Sequence, residues 1–315
     1  MVYTTFSKSY SDINNEPMFL GKNVNTFRTD IRKYSFLNNN LNDSFDYYKN
    51  DKESFNSLSD SEQSFITKIL QLLISINSTQ SRGISVALLQ LASLPEVESF
   101  IQGFSFLKLS QLLKYNQIVN CLCRNPKAVL DDITKNKNIS RISRDFGMYY
   151  DLLILDVGFL NTRGEGLYFV SGKERRVNRI NIKKELFLAI VGCYGAESIK
   201  NKKNHLCLDL CSEDGTLDKT MSIIKSIETE NDEIILNLRN IISTWRNNGD
   251  DPEMSDIYYK FAFDAKRIFY DIFNEEILSL EYLFDGNCEL KNKVSDILRN
   301  LTEKSMLDIG FEFEF

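Results

Sequence analysis

The sequence has little proline, glycine, histidine and tryptophan, and it has no long apolar run. The chain of 315 residues contains only 4 Pro and 14 Gly, few for a β-sandwich or for an α/β fold with many tight turns. The one histidine, His205, excludes a metal site with two histidines and argues against a catalytic triad. No apolar run approaches the roughly 18 residues of a membrane-spanning helix, and the polar start lacks a secretory leader. We expect a helical, soluble, cytoplasmic protein.

The net charge argues against a nucleic-acid-binding protein, and the cysteine spacing argues against a zinc site. The net charge is −6 and the pI is near 5.2, whereas binding to the nucleic-acid backbone needs a basic face. Six cysteines occur without a C-x-x-C pair, which predicts free buried thiols in so large a chain. His205, Cys207 and Cys211 are the nearest zinc candidate, but they supply only three ligands. Their apolar neighbours favour a buried helix face over a zinc site.

The hydrophobic pattern divides the chain into an arm, a bundle and a tail. Residues 1–58 are polar and irregular, and they predict a long N-terminal arm. From Ser59 or Ser61, each a plausible N-cap, apolar residues recur at helical spacing. The stretch 161–180 predicts a loop or short hairpin, and its GEG lacks the rest of a dinucleotide fingerprint. The fold class is therefore all-α, a helical bundle over 59–308 with a tail at 309–315. Its later helices are predicted at 182–208, 214–247, 253–284 and 289–307.

Sequence blocks spread along the chain resemble one family. They are YTTFS and EPMFLGKNVN near the start, SVALLQLASLPEVESF at 85–100, DDITKNKNI at 131–139, YYDLLILD at 149–156, GEG at 164–166 and GDDPEM at 249–254. With these blocks the chain resembles the small, radical-generating subunit of class I ribonucleotide reductase. The resemblance implies a ferritin-like bundle, a homodimer, and a di-iron or di-manganese centre beside an oxidisable tyrosine.

The resemblance also assigns positions to the metal ligands, and most of them carry other residues here. The family supplies an Asp, a Glu-x-x-His, a Glu and a second Glu-x-x-His from four helices. At those positions this chain has, in order, Asn77, Lys108, Gln111, Glu197, Asn231 and Ile234. Tyr115 matches the radical tyrosine. If the fourth helix slides by two residues, Glu233 replaces Asn231, but the histidine is missing in either register. We prefer the gapless register because GDDPEM then stays aligned.

These replacements predict a site without metal. One carboxylate and two amides cannot neutralise two buried divalent ions, and a protonated Lys108 would repel them. We therefore expect no metal cofactor. Lys108 instead pairs with Glu197, while Asn77 and Gln111 donate amide hydrogen bonds; the alternative is that Lys108 reaches outward and Glu197 faces water. Tyr115 is expected to be a packed core tyrosine whose hydroxyl finds a partner.

Other positions differ from the family as well. Lys202 and Lys203 replace an aromatic and apolar stretch, which predicts a helix that has rotated outward, frayed or lost its constraint. The tryptophan of the family's radical route falls near Tyr47 or Tyr48, and the chain ends in DIGFEFEF without the family's flexible docking tail. This end has the acidic, aromatic character of that tail, but we interpret it as a chance hydrophobic terminus.

Three functions remain open. The first is a non-catalytic homologue that dimerises with itself or with an intact small subunit, with weakened binding to the large subunit. The second is an active small subunit with a reduced or unusual metal or radical site. The third is a structural or eroding protein without a role in nucleotide reduction. None of the three involves nucleic acid or a membrane.

Overall fold

The computed structural model describes residues 49–91, 95–163, 166–170, 173–211, 217–247, 252–284 and 288–312. The expectations for Tyr47, Tyr48 and most of the arm lie outside these residues. The described parts contain these helices and strands: α1 (Lys49–Ser57), α2 (Asp60–Leu88), α3 (Pro95–Leu122), α4 (Pro126–Lys135), α5 (Lys137–Arg163), β1 (Gly166–Val170), β2 (Lys173–Val177), α6 (Arg179–Gly195), a π-helix (Ala196–Asn201), α7 (Lys202–Cys211), α8 (Asp218–Arg246), α9 (Pro252–Lys260), α10 (Ala262–Phe284) and α11 (Cys288–Asp308).

The all-α prediction is confirmed, and its local signals explain where helices begin. Ser59 is the N-cap of α2, where its side chain accepts from Glu62 N and the Glu62 carboxylate accepts from Ser59 N, a complete capping box. Pro95, Pro126 and Pro252 each occupy the first residue of a helix, where the missing N–H has no intrahelical partner to lose.

The predicted irregular arm is wrong for its last residues, which form α1. Within α1, Phe55 and Asp51 are buried. The Asp51 carboxylate accepts hydrogen bonds from Thr220 N at 2.7 Å and Lys219 N at 3.3 Å, in the first turn of α8. Leu217, at the N-cap of α8, offers no side-chain cap. An acceptor from α1 therefore satisfies the backbone donors that a helix start leaves open.

Within the break predicted at 161–180, strands β1 and β2 form a short antiparallel pair. Strand β1 pairs with β2 in a register that places Gly166 opposite Val177. Arg175 on β2 reaches Asp156 on α5 at 2.7 Å and Glu185 on α6 at 2.8 Å. Both carboxylates are almost fully buried, so this cation ties the strand pair to two helices of the bundle.

Two of the predicted long helices are interrupted. A turn at Phe261 separates α9 from α10, although Phe261 N still donates to Ile257 O at 3.0 Å. The helix predicted over 182–208 contains the π-helix. A π turn accommodates an extra residue and rotates the register of the helix after it, and all six of its residues are buried. This segment lies at the centre of the bundle and carries Glu197.

The core is closely packed along α2 and α5, and the C-terminal end of α11 joins it. A Cβ added at Gly83 would lie 2.3 Å from the ring of Tyr150, so α2 and α5 approach closely there.

After α11, Gly310 adopts a φ of +90° and Phe311 N donates to Met306 O at 2.9 Å, a Schellman ending. Phe311 is buried and stacks on Tyr258 with ring centroids 5.3 Å apart. The first residues of DIGFEFEF are thus part of the packed bundle.

No helix among the described residues combines the length and apolar character needed to cross a membrane. The described cysteine side chains, Cys121, Cys123, Cys193 and Cys207, are buried free thiols, as the spacing predicts. The side chain of Cys211 lies outside the described part.

Candidate functional site

The residues that the family alignment selects as ligand positions come from four segments, and four of these residues meet inside the bundle. Helix α3 carries Lys108, Gln111 and Tyr115, and the π-helix carries Glu197. Asn77 on α2 and Asn231 on α8 complete the polar set. All are buried: the side chains of Lys108 and Glu197 have no solvent-exposed surface.

Lys108 is the centre of the cluster. Its Nζ lies 2.7 Å from Glu197 Oε2, 2.9 Å from Gln111 Oε1 and 2.8 Å from Asn231 Oδ1. These three acceptors match the three N–H donors of an ammonium group, whereas a neutral amine has only two. The predicted meeting of Lys108 and Glu197 is confirmed, and the outward orientation is excluded.

Burial and the neighbouring charge shift the pKa of Lys108 in opposite directions. Complete burial lowers the pKa of Lys108, because an ammonium group loses its hydration. The Glu197 carboxylate opposes that shift. The three short contacts identify the ammonium as the form that the cluster accommodates, since each of them presents an oxygen to Nζ.

Both amides donate hydrogen bonds, as expected, but Asn77 donates outside the cluster. Gln111 accepts from Lys108, and its Nε2 donates to Asn231 Oδ1 at 3.0 Å and to Glu230 Oε2 at 3.1 Å. Asn77 does not join the cluster, because its Nδ2 donates to Leu73 O at 2.8 Å within its own helix.

Asn201, which the sequence did not single out, contacts Glu197. Its Nδ2 donates to Glu197 Oε2 at 2.8 Å. Sequence reasoning missed Asn201 and Glu230, although each is within four residues of a position that it selected. Helical spacing was the available signal, since Asn201 is one turn after Glu197 and Glu230 immediately precedes Asn231.

The structure supports the gapless register of α8. Asn231 and Ile234 are buried with 3% and 2% exposure, whereas Glu233 is exposed. Ile234 packs in the hydrophobic core. The position that the alignment pairs with the second histidine therefore carries a buried apolar side chain, and Glu233 is exposed.

Tyr115 is a packed core tyrosine with a partner, as expected. Its hydroxyl lies 2.7 Å from His205 Nε2, and both side chains are buried. Burial raises the pKa of Tyr115 well above its ordinary value near 10. His205 Nδ1 faces Glu228 Oε1 at 3.5 Å. The sequence did not identify this contact, because Tyr115 and His205 are 90 residues apart.

The expectation that Lys202 and Lys203 mark a frayed or outward helix is wrong for Lys203. Lys203 is fully buried, pairs with Glu276 and lies 3.1 Å from Ser279 Oγ. Lys202 is 40% exposed and contacts Asp232 at 2.8 Å. A rotated register after the π-helix turns one lysine inward, where a buried carboxylate stabilises its charge.

The side chains present do not fit a pair of divalent metal ions. The ammonium of Lys108 already contacts three oxygens from the ligand positions, and Glu197 is the one carboxylate among those positions. A +2 ion and an ammonium about 4 Å apart repel by about 8 kcal/mol at an effective dielectric constant near 20. Among the described residues, no group of three or more His, Cys, Asp and Glu side chains could hold a metal.

Comparison of the sequence with known proteins identifies relatives of one kind. The chain is 31% identical over 300 residues to the ribonucleoside-diphosphate reductase subunit beta of Haemophilus influenzae, and the match covers 91% of this chain and 79% of that protein. It is 28% identical over 330 residues to the reductase 1 subunit beta of Salmonella typhimurium, covering all of this chain and 87% of the relative. No protein-family model matches the chain.

Solved structures share the fold. The ribonucleotide reductase R2 subunit from Clostridium botulinum superposes with a TM-score of 0.68 at 16% identity, over 89% of this chain and 83% of that one. The dimanganese(II)-NrdF of Streptococcus sanguinis gives a TM-score of 0.61 at 15% identity, over 84% and 82%. At this identity the likeness concerns the fold, which is the ferritin-like bundle expected from the sequence.

Proposed function

We infer the function from family membership, because this chain belongs to the ribonucleoside-diphosphate reductase beta subunits, the small subunits of class I ribonucleotide reductase. Our proposal is that it is a non-catalytic member, which keeps the bundle of the family but has lost its metal chemistry. The observation that carries the proposal is the Lys108 ammonium, bonded to Gln111, Glu197 and Asn231 in place of a metal.

The electrostatic balance of the cluster supports this proposal. Two divalent ions bring four positive charges, whereas Glu197 brings one negative charge that Lys108 already balances at 2.7 Å. Buried charges persist only when paired or coordinated. Metal binding would require Lys108 to lose its proton or leave the cluster, and it would still leave Ile234 at a ligand position.

Metal content tests the proposal. The purified chain, loaded anaerobically with iron(II) or manganese(II) and then exposed to oxygen, is expected to hold no stoichiometric metal and to show no tyrosyl EPR signal. Two ions per chain in the unaltered protein would overturn the proposal.

A restored ligand set is the matched positive control. It combines Asn77→Asp, Lys108→Glu, Gln111→His, Asn231→Glu and Ile234→His in one chain. This variant should bind a pair of metal ions per chain, because the backbone positions are those of the family fold. Such binding would show that the side chains, and not the scaffold, prevent metal binding in the unaltered protein.

An activity assay tests whether the chain is non-catalytic. Mixed with a ribonucleotide reductase large subunit from the same source, the chain is expected to give no deoxyribonucleotide above the level without it. Turnover that requires the chain would contradict a non-catalytic role.

We also propose that the chain dimerises in the cytoplasm, with itself or with an intact small subunit. Support comes from large apolar side chains on three helices, α2, α3 and α5: Val86 is 52% exposed, Phe106 43%, Met148 50% and Leu155 46%. A contiguous apolar patch of this composition would mark an interface, and we propose that these side chains contribute to one. Light scattering should give about twice the chain mass of 36.5 kDa, and a monomer at micromolar concentration would contradict homodimerisation.

One observation favours the second candidate, an active small subunit with a reduced or unusual site. Asn77 Oδ1 and Glu197 Oε1 are buried acceptors without a hydrogen-bond partner in the described part of the chain, and such atoms often bind water or an ion. A single bound metal with Tyr115-dependent activity would support this candidate. Zero metal and zero activity would favour the first.

A further inference from the structure

The environment of Tyr115 differs from that of an ordinary buried tyrosine. Its hydroxyl contacts the imidazole of His205 at 2.7 Å, and this histidine is the one histidine of the whole chain. His205 is 1% exposed, and its other nitrogen faces Glu228 at 3.5 Å. Three residues from α3, α7 and α8 thus form a series of phenol, imidazole and carboxylate.

The geometry assigns donor and acceptor in this series. Tyr115 is fully buried and neutral, so its hydroxyl can donate to the lone pair of His205 Nε2. The proton of the neutral imidazole then lies on Nδ1, toward the Glu228 carboxylate. A carboxylate at this position selects the tautomer that leaves Nε2 free to accept.

The carboxylate end of this phenol, imidazole and carboxylate series is exposed to solvent. Glu228 is 32% exposed, and it lines a surface pocket of about 310 Å³ together with His205, Lys202 and Asp232. Asp209 adds a further acidic group near His205, and the charge of Lys202 is paired with Asp232. An imidazolium at His205 would therefore lie between acidic side chains beside an open pocket.

We propose that His205 is the proton acceptor of Tyr115 and that Glu228 positions it, so that Tyr115 can be oxidised by an external one-electron oxidant without a metal. One electron passes from the phenol to the oxidant, which is reduced by one electron. The Tyr115 O–H bond breaks and a bond from the same proton to His205 Nε2 forms, giving a neutral phenoxyl radical and an imidazolium. On reduction the proton returns.

This property of Tyr115 is independent of the proposed function. It concerns an oxidant supplied from outside, whereas the proposed function concerns the absence of metal and of reductase activity. The competing explanation is structural: His205 merely satisfies a buried hydroxyl. An experiment must therefore separate a hydrogen-bond acceptor from a base.

The first measurement uses the single histidine. In protein labelled with ¹⁵N-histidine, the spectrum of the neutral ring should show the proton on Nδ1 and an unprotonated Nε2. The Nε2 resonance should shift in Tyr115→Phe, which removes its donor. A proton on Nε2 in the neutral ring would overturn the proposal.

The second measurement follows the radical. Photogenerated ruthenium(III) tris-bipyridine supplies the oxidant, and EPR detects tyrosyl radicals in the full chain; the signal of Tyr115→Phe is subtracted to isolate Tyr115. We expect His205→Phe and His205→Gln each to lower the Tyr115-dependent yield at least about tenfold, since a positioned base contributes about 10²–10⁴-fold to proton transfer. Glutamine can accept a hydrogen bond but cannot take the proton.

A matched control and the contrary outcomes complete the test. Tyr150 is also buried, and its hydroxyl contacts the Cys193 thiol at 3.1 Å, so Tyr150→Phe should leave the Tyr115-dependent signal unchanged. A wild-type yield in His205→Gln would establish the structural role and overturn the proposal. An unaltered chain without any Tyr115-dependent signal would overturn it as well.

Discussion

Replacing Lys108 by methionine tests whether the ammonium substitutes for a metal. The substitution keeps an unbranched side chain of similar length and removes the charge. Glu197, which has no solvent exposure, would keep the amide of Asn201 at 2.8 Å as its described hydrogen-bond donor. Stranding one member of a buried ion pair costs about 3–5 kcal/mol. We expect the free energy of unfolding to fall by that amount.

The reciprocal and double variants complete a thermodynamic cycle. Glu197→Leu leaves the ammonium with two amide oxygens, from Gln111 and Asn231, and should cost about 3 kcal/mol, the lower end of the same range. The double variant has no stranded charge, and Gln111 can still donate to Asn231 at 3.0 Å. It should lie within about 2 kcal/mol of the unaltered chain. The coupling energy is then at least about 4 kcal/mol.

Urea denaturation followed by circular dichroism measures the cycle. With a slope of about 3 kcal/mol per molar, Lys108→Met should lower the midpoint by about 1–2 M. Lys202 and Asp232 provide a control, because they pair at 2.8 Å but are 40% and 61% exposed. The same cycle on that pair should give less than about 1 kcal/mol. Small, additive effects at Lys108 and Glu197 would refute the substitution of an ammonium for a metal.

Three further variants test the packing of the bundle. Gly83→Ala should destabilise by about 1–3 kcal/mol, because the new Cβ meets the rigid ring of Tyr150 at 2.3 Å; an unchanged thermal midpoint would contradict this close approach. Asp51→Ala should cost about 1.5–3 kcal/mol, because Thr220 N loses a charged acceptor at 2.7 Å, and hydrogen exchange should show faster opening of the first turn of α8. Burial raises the pKa of Cys193 from 9.0 to about 12, so its stabilising contribution is complete below about pH 9 and is lost as the pH rises toward 12. Between about pH 8 and pH 10.5 the unaltered chain should therefore lose about 2 kcal/mol more than Cys193→Ala, and equal losses in urea titrations would refute the shift.

Part of the polar cluster could be predicted from the spacing of residues along the chain. Alignment with the family placed Lys108, Glu197 and Asn231 together because helices of one fold keep their register. It did not identify Asn201 as the donor to Glu197, and it expected amide donors at Asn77 and Gln111 without naming their acceptors. The difference is a matter of side-chain direction, since an amide on α2 can bond within its own helix while another amide lies one turn away from the carboxylate.

The helices could be predicted from the sequence because their signals are local. Ser59 with Glu62 caps one helix, prolines open others, and apolar spacing of three and four residues continues them. Long-range packing, by contrast, selects which polar groups meet. The rotated register after the π-helix buries Lys203 against Glu276, and the approach of α3 to α7 brings Tyr115 to His205. Such contacts join residues 73 and 90 positions apart, and packing selects them through the cost of an unpaired buried charge or hydroxyl, which no local pattern records.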